Sequence, residues 1–325
     1  MKAIVYPRYG SPDVLRLEEV EKPVPADDQA LLRVRAASIN SLDWHFMRGS
    51  PFLVRVSGAG LRKPKDPRMG VDVAGVVEAV GGKVTRFQVG DEVFGRADGA
   101  FAEYACAREK ALVKKPATVT FETAAAIPIA ALTALQGLRD VGRIQPGQRV
   151  LIQGASGGVG MYAVQLAKVF GAEVTAVCGA KNTEMARSLG ADHVIDYTRE
   201  NFTKNGQRYD LILGVNGYHS IFAYRRALRR KGGTYVMVGA TNARLLRSMF
   251  QIGLLGKVMS RRGGRAYKNF LAKPKQEDLT FVSELVVAGK VTPVIDSCYP
   301  LRETPEAMRY FEQIHPRGKV VITIP

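Results

Sequence analysis

Gly154-Ala155-Ser156-Gly157-Gly158-Val159-Gly160 lies between the apolar run Arg149 to Gln153 and a stretch, Val159 to Val169, whose apolar residues recur at helical spacing. A strand, a glycine-rich turn and a helix in that order can hold a dinucleotide. The turn must be tight, a backbone without a Cβ must approach the pyrophosphate, and a further glycine must let helix and strand pack closely. Gly157 or Gly158 suits the close approach and Gly160 the packing; Ala155 stands where the usual first glycine would be. Ser156 and Val159 complete the cradle. The helix start offers free N–H groups and the positive end of its dipole to the phosphates.

The end of the next strand separates the two nicotinamide coenzymes. NAD sites normally place an Asp or Glu there, about 20 residues on. This chain has Ala176-Val177-Cys178-Gly179-Ala180-Lys181-Asn182, with no carboxylate but with Lys181. A lysine attracts a 2′-phosphate that a carboxylate would repel, so NADPH is the expected cofactor. The alternative for Lys181 is a solvated lysine at a helix start. For Cys178 it is a small residue packed at a strand end.

The elements around this unit follow from pattern. KAIVY, VLRLEEV, ALLRVRAAS, DVAGVVEAVG, DEVFG, FAEYACARE and ALVKKP are short β-branched runs broken by Pro, Gly and Asp, which suggests a compact barrel-like module. FETAAAIPIAALTALQGL reads as one helix. From Gln148 strands alternate with helical patterns, which argues for a parallel sheet covered on both faces. PVIDSCYPL and KVVITIP look like strands returning to the first module. The expected fold class is therefore α/β, with a β-rich domain at residues 1–121 and 297–325 and a nucleotide-binding domain at 122–296.

At 325 residues the chain suits two domains. No apolar run is long enough to span a membrane, and the first residues read as a strand and not as a signal peptide. Cys106, Cys178 and Cys298 are far apart, without a CxxC pair, so neither a zinc ribbon nor a disulfide framework is indicated; a cytoplasmic location is expected. Of the net charge of +17, 14 positive charges lie between Leu211 and Gln276, where there is no Asp or Glu. Such a block is either a solvated face or a surface that meets anions.

QGASGGVG, MARSLGADHVIDY and the closing GKVVITI resemble the medium-chain dehydrogenase/reductase superfamily, and VRAASINSLDWHFMRG, GVDVAGVVEAVG, VGDEVFG, GAFAEYA and IPIAALTALQGL resemble its zinc-free quinone oxidoreductase branch. The resemblance covers nearly the whole chain. It implies a GroES-like catalytic domain built from both chain ends, a Rossmann domain between them, and a dimer in which the last strands of two Rossmann sheets meet. Zinc-dependent relatives take ligands from a Cys and a His–Glu pair; here Asn40 and Val71-Asp72 stand in those places. Leu42 stands where those enzymes carry a proton-relaying hydroxyl, and the cysteine-rich structural-zinc lobe is missing. Val71 offers no donor atom, so no metal is expected. His45, His193, His219 and His315 have no ligand spacing that would supply one.

Without a Lewis acid the expected acceptors are already activated: quinones and α,β-unsaturated carbonyls, whose oxygen gathers charge as hydride arrives. Asn40 is the candidate polar contact near the nicotinamide, with a turn or cap as its other reading. Asp43 is a second catalytic candidate, although capping the helix-like WHFMRG turn is the simpler role for it. No general acid is evident, so solvent would supply the proton. The resemblance also implies cofactor contacts at Tyr197, Val215, Asn216, Gly239, Ala240 and the segment Phe270-Leu271-Ala272. Tyr197 would stack beside the ribose phosphate, or simply be a buried aromatic; Gly239 would otherwise be a turn.

Residues 244–262, RLLRSMFQIGLLGKVMSRR, combine apolar and basic side chains. They suit a wall over a bulky apolar substrate, peripheral contact with anionic lipid, or an ordinary surface or oligomer contact. The leading function is an NADPH-dependent quinone or enone reductase. Alternatives are an enoyl-thioester reductase and, from another class, a nucleic-acid-binding or redox-sensing protein that keeps the fold. Only the charge supports the last, since base-stacking aromatics are few in the basic run.

Overall fold

A computed structural model describes residues 1–217, 219–239, 264–314 and 316–325. They fall into two compact units: residues 1–132, 274–289 and 293–325, and residues 133–273 with 290–292.

In the first unit a mixed sheet runs in the order β14 (Ile295–Pro300), β15 (Lys319–Thr323), β3 (Gln29–Ser38), β4 (Asp72–Val80), β5 (Glu92–Arg96), β7 (Leu112–Lys114), and β6 (Tyr104–Arg108) also pairs with β3. The two C-terminal strands do return to this unit: β15 pairs antiparallel with β3, and β14 runs parallel to β15. β1 (Lys2–Val5) and β2 (Arg16–Glu19) form a separate antiparallel pair. Leu32, Val34, Val73, Phe101, Val320 and Ile322 share one buried core.

In the second unit six parallel strands run in the order β10 (His193–Asp196), β9 (Glu173–Cys178), β8 (Arg149–Gln153), β11 (Leu211–Val215), β12 (Thr234–Val238), β13 (Ala266–Asn269). This is the doubly wound order 3-2-1-4-5-6. Its central strands are mostly apolar, as in a parallel sheet covered on both faces; Val150, Leu151, Ile152, Val174, Ala176 and Leu213 are all fully buried.

Two elements differ from the pattern reading. The stretch after Thr120 is not one helix: α2 (Phe121–Ala125) and α3 (Pro128–Gln136) are separate, followed by a wide turn at Gly137–Gly142. Pro128 has no N–H to continue the first helix but can open the second. β13 has no signature in the sequence, because AYKN is short and half polar; it is held by its register with β12.

Candidate active site

β8 ends at Gln153 and helix α4 (Gly158–Val169) begins with Gly157 as its N-cap. Gly154 makes the tight turn: its φ is +74°, and a Cβ there would lie 2.6 Å from the Val215 carbonyl oxygen. The left-handed residue is therefore Gly154, one position before Ala155. Ala155 is fully buried, and its N–H donates to the Val177 carbonyl of β9 (3.1 Å). Gly160 performs the close packing, since a Cβ there would sit 2.0 Å from the Gly154 carbonyl oxygen. At Gly157 the opposite holds. A Cβ would meet only that same oxygen, at 3.7 Å, so the space above Gly157 is open to a ligand. The N–H groups of the first helical turn, at Gly158, Val159 and Gly160, have no intrahelical acceptor. Backbone without side chains, open donors and a positive helix end fit a pyrophosphate.

The adjoining ends of β9 and β10 add side chains to this cradle. Ser156 Oγ accepts from Asn182 Nδ2 (3.0 Å), while Asn182 Oδ1 is buried without a hydrogen-bond partner among the described residues. An unpartnered buried acceptor beside the glycine turn fits a hydroxyl donor of a bound nucleotide. Lys181 is exposed in the short turn Ala180–Asn182. Tyr197 is half exposed, its N–H bonded to the Cys178 carbonyl (3.1 Å) and its hydroxyl beside Gly179. The Cys178 thiol itself is buried, and that burial pushes its pKa up, which suits a packed strand-end residue.

β11 and β12 bring further positions to the same sheet end. Asn216 follows β11 in a left-handed conformation (φ +55°), its N–H bonded to the Val238 carbonyl (3.0 Å), and Val215 precedes it. Gly239 turns with φ +61° just beyond β12. Ala240 and residues 244–262 lie outside the described residues. The segment Phe270-Leu271-Ala272 is followed by Lys273, whose backbone is held by Gln136, a buried side chain within the IPIAALTALQGL stretch. Its Nε2 donates to the Lys273 carbonyl (2.8 Å) and its Oε1 accepts the Lys273 N–H (2.9 Å). Leu271, next to this clamp, is 85% exposed.

The first unit carries a different constellation. Asn40 is the N-cap of helix α1 (Ser41–Arg48), and Asp43 Oδ2 accepts the Asn40 N–H (2.8 Å), so Asp43 has the capping role. The Asn40 side chain is itself engaged on every side. Its Nδ2 donates to the Ser38 carbonyl (3.2 Å) and to Asp72 Oδ2 (2.8 Å), and its Oδ1 accepts from Lys319 Nζ (2.6 Å). Asp72 Oδ2 also accepts from Ser38 Oγ (2.9 Å) and faces Lys319 Nζ at 3.4 Å, while its Oδ1 accepts the Ile129 N–H (3.0 Å). Asp72 and Lys319 are 0% and 3% exposed in their side chains. One ammonium serves two buried carboxylates, and Asp43 is the one without it in hydrogen-bonding contact. Loss of hydration, with Asp72 adding repulsion, pushes the Asp43 pKa up to about 7 against the opposing Asn40 N–H; burial likewise lowers that of Lys319 against the pull of Asp72. Sequence spacing carries no hint of Lys319, which lies 279 positions from Asn40.

These donors do not fit a catalytic zinc. Val71 has no ligand atom, and Asn40 and Asp72 are turned onto each other and onto Lys319. Among the described residues no group of three or more His, Cys, Asp or Glu side chains gathers as a metal site.

Two family profiles match the chain. A family profile described as "Alcohol dehydrogenase GroES-like domain" matches residues 26–117, and one described as "Zinc-binding dehydrogenase" matches residues 189–322. The chain is 36% identical to the chloroplast envelope quinone oxidoreductase homolog of Arabidopsis thaliana, over 99% of this chain and 98% of that protein. It is 32% identical to the NADPH-dependent alkenal/one oxidoreductase of the same plant, covering 99% and 79%. The solved quinone oxidoreductase of Coxiella burnetii superposes with a TM-score of 0.89 at 30% identity, covering 100% of this chain and 99% of that one.

Proposed function

The chain belongs to the medium-chain dehydrogenase/reductase superfamily, in its quinone oxidoreductase-like branch, and from that premise we propose that it is an NADPH-dependent reductase delivering hydride to a quinone or an α,β-unsaturated carbonyl without a metal ion. The observation that carries the reading is the end of β9. Lys181 precedes Asn182, whose side chain reaches Ser156 of the glycine turn, Tyr197 lies beside Gly179, and the carboxylate that would repel a 2′-phosphate is missing from the residues that follow β9.

When bound, the reduced nicotinamide supplies the hydride. The chain's own residues bind and orient. The open amides after Gly157 take the pyrophosphate, Lys181 neutralises the 2′-phosphate, and Asn182 Oδ1 accepts from a hydroxyl. Gln136 fixes the segment Phe270-Leu271-Ala272 against the nicotinamide end. Each turnover consumes one hydride and one proton from solvent and leaves a hydroquinone or a saturated carbonyl. Asn40 and Asp43 hold their loop in place, since Asp43 accepts the Asn40 N–H and the Asn40 side chain is committed to Ser38, Asp72 and Lys319. Names of similar proteins that include quinone and alkenal/one oxidoreductases support this acceptor class.

The test is coenzyme oxidation against a panel of quinones, enals and enoyl thioesters, with NADH in parallel. Lys181→Glu should lower kcat/KM for NADPH by about thirtyfold, about 2 kcal/mol of a charged contact, while leaving NADH nearly unchanged. Equal use of both coenzymes, insensitive to Lys181→Glu, sinks the cofactor assignment. One tightly held zinc per purified chain sinks the metal-free mechanism, and a rate confined to enoyl thioesters moves the substrate to that class.

A further inference from the structure

A turn in the first unit, remote in sequence from the nucleotide cradle, presents apolar side chains to solvent. Phe52, Leu53, Val56 and Leu61 are 60%, 49%, 54% and 58% exposed within ten residues of chain. Phe52 and Val56 are four apart in a helical turn and share a face. The backbone beneath them is pinned. Arg55 Nε donates to the Gly49 carbonyl (2.9 Å), and the Arg55 guanidinium lies 4.5 Å from the centre of the Tyr9 ring. Tyr9 Oη donates to the Gly60 carbonyl (2.6 Å), and the Lys65 N–H to the Ala59 carbonyl (2.9 Å). These polar contacts fix the backbone of the turn while Phe52, Leu53, Val56 and Leu61 stay exposed, and exposed large apolar side chains gathered in one short segment mark an interaction site.

The rim of the patch is basic. Arg62, Lys63 and Lys65 are exposed, and none has an ion-pair partner among the described residues. The one acid nearby, Asp66, is already paired with Arg68 (2.6 Å). Residues 48–68 contain six Lys or Arg against that single acid, on a chain of net charge +17. We propose that residues 51–65 are a docking surface for anionic lipid, with the apolar quartet entering the headgroup–acyl boundary and the three cations meeting lipid phosphates.

The charge selects this partner. A second copy of a chain this basic would be repelled from the patch. Aliphatic side chains give a nucleic acid nothing to stack on, and Phe52 is the turn's single aromatic residue. Apolar insertion combined with electrostatic attraction is what an anionic bilayer rewards. No helix among the described residues is long and apolar enough to cross a membrane, so the contact proposed is peripheral. It stands independently of the reductase reading.

The test is co-sedimentation of the full chain with phosphatidylcholine vesicles and with a phosphatidylcholine–phosphatidylglycerol mixture. Binding should require the anionic lipid and weaken with salt. Lys63→Gln with Lys65→Gln should weaken it by about 25-fold, about fivefold for each charge removed. Phe52→Ser with Leu53→Ser should weaken it at every salt concentration. Phe52→Trp, which keeps an aromatic side chain in place, should add an emission that shifts to the blue on the mixed vesicles. Vesicle binding left unchanged in both double variants overturns the proposal, as does an emission of the Phe52→Trp variant that is indifferent to lipid. It is also overturned if the double variants instead impair quinone turnover in lipid-free buffer, change the oligomeric state, or weaken duplex DNA binding to the same extent as lipid binding.

Discussion

At the head of α4 the chain leaves donors open, while beneath β4 it closes them. The first turn of α4, from Gly158 to Gly160, has N–H groups without intrahelical acceptors, a Cβ at Gly157 would meet only the Gly154 oxygen, and Asn182 Oδ1, next to the exposed Lys181, has no partner among the described residues. In the other unit Asn40, Asp72 and Lys319 satisfy one another in a site closed to water. A binding site for an anion needs unmet donors; a buried ion pair must meet its own. The contrast separates a glycine turn with donors to spare from a buried cluster whose polar atoms are committed to one another.

The largest effect should come from breaking the closed cluster. Lys319→Met leaves Asp72 buried without its cation and should cost about 3–5 kcal/mol of unfolding free energy in urea titration. A loss under about 1 kcal/mol would mean that the cluster is hydrated and the contrast overstated. The open site should respond the other way round. A Cβ at Gly157 meets no protein atom closer than the Gly154 oxygen, so with Gly157→Ala stability should stay within about 1 kcal/mol. NADPH affinity, read by fluorescence titration, should fall at least about thirtyfold, equivalent to about 2 kcal/mol. Equal losses of stability and affinity would contradict an open cradle.

Gln136→Leu removes two hydrogen bonds behind the segment 270–272 and should cost about 1–2 kcal/mol in stability. If that segment bears on the nicotinamide, KM for NADPH rises severalfold while a purely structural role leaves it unchanged. The effect of Asp43 depends on pH. Its raised pKa means that the folded state holds the proton more tightly than the unfolded chain. That contribution is complete below about pH 4 and lost as pH rises through about 7. Asp43→Asn should therefore match the parent below about pH 4 and exceed its melting temperature at pH 8 to 9; a parallel shift at both pH values would discount the burial.

Much of the nucleotide-binding unit was legible because its signals are local. A buried run, glycines at fixed spacing and a helical period all fall within Arg149 to Val169, and Gly160 packs as its position required. The left-handed conformation at Gly154 was not legible, since Ala155 occupies the customary motif position and φ is not written in residue order. Pro128 was visible but outweighed by the alanine-rich run around it. β13 was invisible because its strand character comes from pairing with β12 and not from its own residues.

The order of elements, the glycine turn, the lack of a carboxylate after β9 and the lack of a donor at Val71 were determined by sequence alone, because each is a property of neighbouring residues. Only the tertiary structure decided what the polar residues do. Ser38 stands opposite Asp72 in one strand pair and opposite Val321 in another, and these registers bring Lys319 to Asn40 across almost the whole chain. Register is set by hydrogen bonding and burial between distant strands, so a buried ion pair can form between residues whose sequence positions give no sign of it.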